Sequence, residues 1–384
     1  MAHQAWDTLS SPSDQAHDWR WQLRHAITTV EQLGRFVSLS REEHDAADHA
    51  QRQGLPLLLT PYMASLMDPG RADCPIRRQL VPSILEARVV EGDRKDPLGE
   101  DDHLVAPHLI RRYPDRALLL VTKGCAVHCR FCTRTRVVRQ GRGAIPLRQL
   151  DPALSWLRSH PEVREVILSG GDPLLLSDRR IGRLLEAVRS VPHIEIVRIG
   201  TRVPGVLPMR VDEGLVDALR PWQPIWIMVH FNHPRELTSE ARSALSKLVD
   251  GGFPVMCQTV LLRGINDDPA VLEELFRGLV RERVRPYYLL HADVVEGTGH
   301  LRTALSRSVE IHAALQGRLS GIALPKLVVD TPGGRGKVVV GPEVIVSRGA
   351  GRTTLRTFRG EEAEVVDPPG GKTGDGLVPG PTRA

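Results

Sequence analysis

The stretch ALLLVTKGCAVHCRFC, from Ala117 to Cys132, joins an apolar run directly to three closely spaced cysteines. The run ALLLVT has the length and the apolar character of a buried β-strand. The cysteines follow in the pattern C-x3-C-x2-C, at Cys125, Cys129 and Cys132. The sequence therefore predicts a strand that ends in a loop carrying three thiols.

Similar apolar runs recur along the chain, and helical patterns such as DRRIGRLLEAVRSV and TSEARSALSKLVDGG separate them. The spacing is about thirty residues, the length of one strand–helix unit with its loops. The predicted strands are Ala117–Thr122, Val163–Gly170, Ile194–Gly200, Pro224–Phe231, Pro254–Leu262 and Arg285–His291. Strands that alternate with helices pair in parallel, so we expect an α/β fold, a partial (β/α)6 barrel of the TIM type.

The loops that follow these strands have unusual sequences. They are KGCAVHCRFC, SGGDP, GTRVP, HFNHP, LRGIND and HADVVEGTGH. The carboxyl ends of parallel strands share one edge of the sheet, and α/β barrels carry their active sites at that edge. We therefore expect one composite site built from these loops.

The composition changes before and after the predicted barrel. Residues 1–105 contain the helical patterns WQLRHAITTVEQLGRF and REEHDAADHAQRQ and are expected to form a helical arm or cap, whereas residues 106–346 form the barrel and its C-terminal segment. Residues 347–384 form a C-terminal extension. We expect disorder from about residue 366, because the end of the chain is rich in Pro, Gly and polar residues.

The bulk composition narrows the class of protein. No apolar run is long enough to span a bilayer and the first residues lack a signal-peptide pattern, so we expect a cytoplasmic protein without a membrane partner. The net charge is +5, but the arginines are scattered among acidic residues, so no nucleic-acid partner is expected. Five cysteines are an odd number, and a reducing cytosol disfavours a disulfide scaffold.

The cysteine loop favours a metal site. Three thiolates on a short loop can bind three irons of a [4Fe-4S] cluster and leave the fourth iron open to a small chelating molecule. A zinc site would need a fourth ligand, and His128 lies between the cysteines, so the spacing alone leaves zinc open. The polar neighbours Arg130, Arg134 and Arg136 argue against cysteines that merely fill a core.

The run CAVHCRFCTRTR, with RRYPDRALLLVTKGC before it and SGGDPL after it, resembles the lysine 2,3-aminomutase family of the radical S-adenosylmethionine (SAM) superfamily. The resemblance extends from about Thr60 to Val346. It implies an isomerase that interconverts L-lysine and L-β-lysine with a [4Fe-4S] cluster, SAM and pyridoxal 5′-phosphate (PLP). It also implies an electron donor such as flavodoxin or ferredoxin. We expect a homo-oligomer because a helical arm suits self-association. A zinc site between subunits is not expected, because no cysteine follows Cys257.

The resemblance implies roles for individual residues. The residues implied as cluster ligands are Cys125, Cys129 and Cys132. The residues implied near SAM are Ser169, Gly170, Gly171, Asp172, His230 and Gln258. Taken by itself, SGGDPL is a tight turn between a strand and a helix, in which Asp172 acts as a cap.

A second motif is DTPGGRGKVVVG, from Asp330 to Gly341. By its residues alone it is a β-turn with a surface lysine, and it does not match the P-loop pattern because Val338 follows Lys337. The resemblance implies that Lys337 holds PLP covalently, a bond that a lysine amine can form. The residues implied around PLP are Arg112, Tyr113 and Arg116.

The resemblance also places Arg134 at the substrate carboxylate, and Asp293 and Asp330 at the distal ammonium of lysine. Each aspartate alone could cap a loop. A desolvated ammonium needs anionic partners, so the two carboxylates together favour a cationic side chain. Arginine, glutamate or a lysine side chain of a protein are alternative substrates. A non-catalytic iron-sulfur or redox-sensing protein and a zinc-binding module are alternatives of other classes.

Overall fold

The computed structural model describes residues 17–141, 143–349 and 352–366. Its strands are β1 Leu104–Ala106, β2 Leu109–Tyr113, β3 Arg116–Thr122, β4 Glu165–Gly170, β5 Ile196–Thr201, β6 Ile225–His230, β7 Val255–Leu261, β8 Arg285–His291, β9 Lys326–Asp330, β10 Lys337–Val339, β11 Ile345–Gly349, β12 Arg352–Arg356 and β13 Glu362–Val366. Its α-helices are α1 Trp19–Arg24, α2 Val30–Leu33, α3 Arg41–Arg52, α4 Pro61–Ser65, α5 Pro75–Leu80, α6 Thr135–Val138, α7 Leu147–Arg158, α8 Asp178–Arg189, α9 Val203–Val206, α10 Glu213–Leu219, α11 Ser239–Asp250, α12 Pro269–Arg281 and α13 Leu305–Leu315. Short 3-10 helices lie at Ile84–Ala87, Pro173–Leu175, Pro208–Arg210, Arg220–Trp222, Pro234–Glu236 and Gly299–Leu301.

The strands from β1 to β10 form one sheet in which strand order follows chain order. The pairs from β3–β4 to β8–β9 are parallel, and antiparallel pairs lie at both ends of the sheet. Among the described strands β1 and β10 do not pair, so the barrel is open. The predicted α/β fold is confirmed, and β3 to β8 are the strands expected from the sequence, with small differences at their ends.

The structure also contains strands that the sequence did not predict. β9 extends the parallel set by pairing with β8, where Tyr288 lies opposite Lys326. The segment RRYPDR forms the end of β2 and a tight turn into β3, in which Tyr113 pairs with Arg116. β1, β2, β9 and β10 have 3, 5, 5 and 3 residues. Such short strands carry too few residues for a clear alternation of apolar and polar positions.

Strand β7 shows how the sheet serves both the core and the site. Buried and half-buried residues alternate along it, because successive side chains of a strand point to opposite faces. Cys257 belongs to the hydrophobic core, whereas Met256 and Gln258 line a central cavity. The apolar stripes of α8 and α11 pack into the same core, and both helices match the helical patterns predicted from the sequence.

The N-terminal part contains helices α1 to α5, but the predicted helical stretch WQLRHAITTVEQLGRF is interrupted. Its first helix ends at Arg24 and the next begins at Val30. Between them, Ile27 forms a β-bridge with Leu59. Thr29 then caps α2 with its side chain. The tertiary bridge and the cap therefore override the helical periodicity at this point.

The C-terminal extension contains a separate antiparallel sheet of β11, β12 and β13, with β12 in the middle. The predicted disorder from about residue 366 concerns residues 367–384, which lie outside the described residues. The division at residues 105 and 346 stays a prediction, although β1 and β11 each cross one of these boundaries. Within the described part of the chain, no helix has the length and apolar character needed to cross a membrane.

Candidate active site

The cysteine loop begins at the end of β3 and lies against the loop that follows β4. Gly171 N donates to Thr122 O at 2.7 Å, and Asp172 N donates to Gly124 O at 2.8 Å. A Cβ atom would lie 2.2 Å from Thr122 O at Gly170, and 2.1 Å from Gly124 O at Gly171. Only glycine permits so close an approach of two backbones. The Gly-Gly pair therefore fixes the position of the cysteine loop.

Cys125, Cys129 and Cys132 are free thiols in the wall of one cavity. Burial, together with the negative charge of neighbouring groups, raises the pKa of Cys125 well above its usual range and the pKa of Cys132 to about 11. These two thiols therefore keep their protons until a metal displaces them. Each cysteine of a cluster binds a separate iron atom, so three thiols around one cavity fit a [4Fe-4S] cluster.

Two polar residues between the cysteines attach the loop to the N-terminal part. His128 Nδ1 lies 2.7 Å from Pro56 O, and the backbone N–H of His128 donates to Leu58 O at 2.8 Å. Arg130 Nε donates to Glu86 Oε1 at 2.8 Å. These contacts explain why a buried loop contains polar side chains, since each polar group has a partner across the interface.

Asp172 has the capping role that its motif suggests. Its carboxylate accepts hydrogen bonds from Leu174 N at 3.1 Å, from Thr201 Oγ1 at 2.7 Å and from Arg202 N at 2.7 Å. Burial raises the pKa of Asp172 although these bonds act in the opposite direction. The carboxylate thereby joins the loops after β4 and β5, and it also lines the cavity that contains the cysteines.

Two adjoining cavities hold the whole predicted site. The cavity of about 260 Å³ is lined by the three cysteines and by Ser169, Gly170, Gly171, Asp172, His230, Gln258, Asp293 and Asp330. The cavity of about 500 Å³ is lined by Arg112, Tyr113 and Arg116. Both are lined by Arg134, Ser169, Gln258 and Lys337, so the cavities share a wall. The residues implied near SAM thus lie beside the implied cluster ligands, and the residues implied around PLP lie in the adjoining cavity.

His230 and Gln258 are neighbours because β6 and β7 pair them in register. His230 Nε2 lies 2.9 Å from Asn232 Oδ1. Burial and the charge of Arg202 lower the pKa of His230 to about 3, so its ring is neutral near pH 7. A neutral imidazole and an amide therefore present hydrogen-bonding groups without charge to the cavity.

The wall around Lys337 combines cationic and hydrogen-bonding side chains. Lys337 N donates to Tyr113 Oη at 2.9 Å, and Arg116 Cζ lies 3.7 Å from the centroid of the Tyr113 ring. The buried Nε of Arg112 has no hydrogen-bond partner among the residues that the structure describes. Two guanidinium groups, one of which has an unsatisfied donor, suit the phosphate or ring oxygen of PLP. The residues present therefore fit this cofactor.

The two aspartates of the site differ in their surroundings. Asp330 pairs with Lys337 Nζ and accepts a hydrogen bond from Arg112 Nη2 at 3.0 Å. Burial acts to raise the pKa of Asp330, but Lys337 and Arg112 outweigh it and the pKa is lowered. Burial and the charge of Asp330 raise the pKa of Asp293 to about 7. Near neutral pH Asp330 is ionised, whereas Asp293 is close to its midpoint.

Arg134 is held by a carboxylate that the sequence did not single out. Its Nε and Nη2 donate to Glu100 Oε1 at 2.9 and 2.7 Å, and its Nη1 donates to Ser169 Oγ at 3.2 Å. Arg136 Nη2 also donates to Glu100, at 3.1 Å. Glu100 is only 3% exposed. It therefore fixes the orientation of Arg134 in the cavity wall.

Sequence reasoning missed two residues next to the site, Glu100 and Arg202. Glu100 stands in the acidic run GEDD, where no pattern separates it from its exposed neighbours. Arg202 lies in GTRVP at the end of a predicted strand, and its Nη1 donates to Cys129 Sγ at 2.8 Å. Its position at a strand end was the one signal that could have identified it.

Comparison with known proteins agrees with this geometry. A family model described as the Radical SAM superfamily matches residues 119–275, and one described as Lysine-2,3-aminomutase matches residues 312–374. The chain is 44% identical to the L-lysine 2,3-aminomutase of Clostridium subterminale, over 90% of this chain and 82% of that protein. It is 43% identical to the L-lysine 2,3-aminomutase of Fusobacterium nucleatum, over 92% of this chain and 83% of that protein. A glutamate 2,3-aminomutase of Clostridioides difficile is 34% identical, over 94% of this chain and 85% of that protein.

In each case the likeness covers most of both chains, so it extends well beyond one motif. The cofactors of the family are a [4Fe-4S] cluster, SAM and PLP. The cysteine loop and the walls of the two cavities fit these three groups. The same likeness favours an enzyme over the non-catalytic iron-sulfur protein considered above. The chain therefore belongs to the lysine 2,3-aminomutase family of the radical SAM superfamily and is an isomerase of the aminomutase type.

Proposed function

We propose that this chain interconverts L-lysine and L-β-lysine by moving the amino group between C2 and C3. The observation that carries the proposal is the presence of Asp293 and Asp330 in the cavity wall that also contains Arg134 and Lys337. A desolvated ammonium is costly unless carboxylates compensate its charge. Two buried carboxylates therefore favour an amino acid with a cationic side chain.

Each cofactor would occupy its own part of the two cavities. Cys125, Cys129 and Cys132 would hold the cluster beside SAM, and Lys337 would hold PLP covalently. When bound, the cluster with SAM supplies the radical that removes hydrogen from C3, and PLP supplies an electron sink for the migrating amine. The residues assigned to SAM are Ser169, Gly170, Gly171, Asp172, His230 and Gln258. The residues assigned to PLP besides Lys337 are Arg112, Tyr113 and Arg116.

The protein's own side chains would bind the substrate at both ends. Glu100 engages Nε and Nη2 of Arg134, so Nη1 would bind the substrate carboxylate at its place beside Ser169. Asp293 and Asp330 would receive the distal ammonium. Fixing both ends of the molecule sets the position of C3, and holding a reacting atom in place lowers the entropic part of the barrier. The buried walls also exclude water from the radical.

Two of the three alternative substrates fit these charges less well. Glutamate ends in a carboxylate, which Asp293 and Asp330 would repel. A lysine side chain within a protein has no free α-carboxylate for Arg134. Arginine is cationic like lysine, and for that reason it belongs in the test.

We also infer that a low-potential protein such as a flavodoxin or ferredoxin supplies the electron that reduces the cluster, and that the enzyme works in the cytoplasm. A homo-oligomer is supported by the exposed apolar side chains of Val344, Ile345 and Val346, at and just before the start of β11 in the C-terminal sheet. Contiguous exposed apolar residues often mark contact surfaces between proteins. We propose neither a nucleic-acid partner nor a membrane partner.

The test is an anaerobic incubation of the enzyme after reconstitution with iron, sulfide and PLP. SAM and dithionite are added, and L-lysine, L-arginine and L-glutamate are supplied in separate reactions. Mass spectrometry after chromatography then measures the β-amino acids. We expect β-lysine from lysine and no product when PLP is left out. β-Glutamate without β-lysine would contradict the proposal.

A further inference from the structure

Arg202 lies beside a cluster ligand, and none of the roles assigned above involves it. The residue follows β5 directly, and its Nη1 donates to Cys129 Sγ at 2.8 Å. Arg202 is 7% exposed, so this contact is shielded from water. A charged donor held against a sulfur in a buried site acts on that sulfur more strongly than it would in solvent.

The second terminal nitrogen of the Arg202 guanidinium, Nη2, is held by buried groups, whereas the buried Nε has no hydrogen-bond partner among the described residues. Nη2 donates to Gln79 Oε1 at 2.6 Å and to Glu236 Oε2 at 3.1 Å. Cζ lies 5.2 Å from the centroid of the Phe131 ring. Glu236 is fully buried, and its other oxygen accepts from Asn232 N at 3.0 Å. With hydrogen-bond partners on both terminal nitrogens, Arg202 is held in place against Cys129.

Cys129 differs from the other two cluster ligands in this respect. Among the hydrogen bonds of the described residues, a guanidinium donates to Cys129 and to neither Cys125 nor Cys132. The hydrogen bond from Arg202 therefore reaches only one of the three implied cluster ligands among the described contacts.

The reduction potential of an iron-sulfur cluster depends on net charge and on hydrogen bonds to its sulfur atoms. Reduction adds one negative charge, which a nearby cation and an N–H donor stabilise. Glu236 opposes this effect, because its carboxylate partly compensates the charge of Arg202. The two residues therefore have opposite expected effects on the potential.

We propose that Arg202 is a positioning residue that orients Cys129 and raises the reduction potential of the [4Fe-4S] cluster. It thereby eases the transfer of one electron to the cluster from a low-potential one-electron donor. One electron enters the cluster in this step, and no bond of the protein forms or breaks.

The test is a redox titration of the reconstituted cluster followed by electron paramagnetic resonance, without PLP, SAM or lysine. In Arg202→Gln we expect the equilibrium constant for one-electron reduction to fall at least tenfold, which corresponds to a shift of about 59 mV. Arg202→Lys keeps the charge and should recover part of the shift. Glu236→Gln should move the potential upward. A matched control is Arg263→Gln, an exposed residue at the same edge of the sheet, which should leave the potential unchanged.

Iron and sulfide content and circular dichroism show whether each variant folds and holds its cluster. If Arg202→Gln loses iron, Glu236→Gln decides the matter: an upward shift supports the proposal, and no shift or a fall overturns it. An unchanged potential in an Arg202→Gln variant that keeps its iron, or loss of iron from both variants, would leave Arg202 with a purely structural role and would overturn the proposal as well. Since no substrate is present, failure of the proposed lysine activity would not affect this result.

Discussion

Asp330 and Lys337 face each other across the β9–β10 hairpin and form an ion pair. Arg112 binds the same carboxylate from β2, at 3.0 Å. The pair joins the residue that we propose for PLP to a residue that we propose for the substrate. A change at either position should therefore be measured both on cofactor retention and on substrate binding.

Replacing Lys337 with alanine removes the amine proposed to hold PLP. We expect K337A to lose tight PLP binding and detectable turnover of lysine, yet to keep its iron, because the cysteine loop lies elsewhere in the chain. Absorbance of retained PLP after gel filtration, an iron assay and product analysis measure these effects. The control is Lys326→Ala at the exposed start of β9, which should behave like the unmodified enzyme. Full lysine turnover by K337A would refute the assignment.

The substitution Asp330→Asn keeps the shape of the side chain and removes its charge. A hydrogen bond to a charged group contributes about 1.5–3 kcal/mol. The KM for lysine should therefore rise roughly ten- to a hundredfold, since about 1.4 kcal/mol corresponds to a factor of ten. Steady-state kinetics with PLP saturating measures this, with retained PLP determined in parallel. A KM equal to that of the unmodified enzyme would place the distal ammonium away from Asp330.

The raised pKa of Asp293, about 7, predicts a pH dependence of lysine binding. This carboxyl group is protonated below its pKa and gains its negative charge as the pH rises through it. Only the charged form attracts an ammonium, so kcat/KM for lysine should rise with pH through about 7 and then level off. The Asp293→Asn variant should lack this step and stay low throughout. An unmodified enzyme whose kcat/KM shows no rise in this range would count against Asp293 as the substrate's partner.

The sequence predicts those parts of the molecule that have a strong local pattern. The strands β3 to β8 are clear from their apolar runs, and the cysteine loop from its spacing. Contacts between distant segments have no such signal: Glu100 meets Arg134 across 34 positions, and Arg202 meets Cys129 across 73. Only the packing of the N-terminal part and of β5 around the loop brings these side chains together. The sequence therefore indicates candidate residues for cofactor binding better than it indicates the residues that hold those candidates in place.

Glu100 provides a test of the residues that hold other side chains in place. The substitution Glu100→Gln leaves the partly buried Arg134 and Arg136 without a shared carboxylate. Losing one partner of such a pair should cost up to about 3 kcal/mol of unfolding free energy, measured by denaturant titration. The KM for lysine should also rise, because Arg134 loses the bonds that orient it. The control is Asp102→Asn, an exposed acid of the same run, for which neither quantity should change. An unaltered KM for Glu100→Gln would mean that Arg134 needs no such support.

Gly171 tests whether the close approach of two loops is needed for the cluster. An added Cβ would lie 2.1 Å from Gly124 O, so in Gly171→Ala the cysteine loop must move away. Overpacking of this kind costs about 1–3 kcal/mol and displaces backbone. We expect a lower melting temperature and a lower iron content after anaerobic reconstitution, with the helical circular dichroism signal retained. Gly321→Ala is the matched control, because nothing lies within 4 Å of its added Cβ. A full complement of iron in Gly171→Ala would show that the cluster tolerates displacement of its loop, and the Gly-Gly pair would then serve the fold alone.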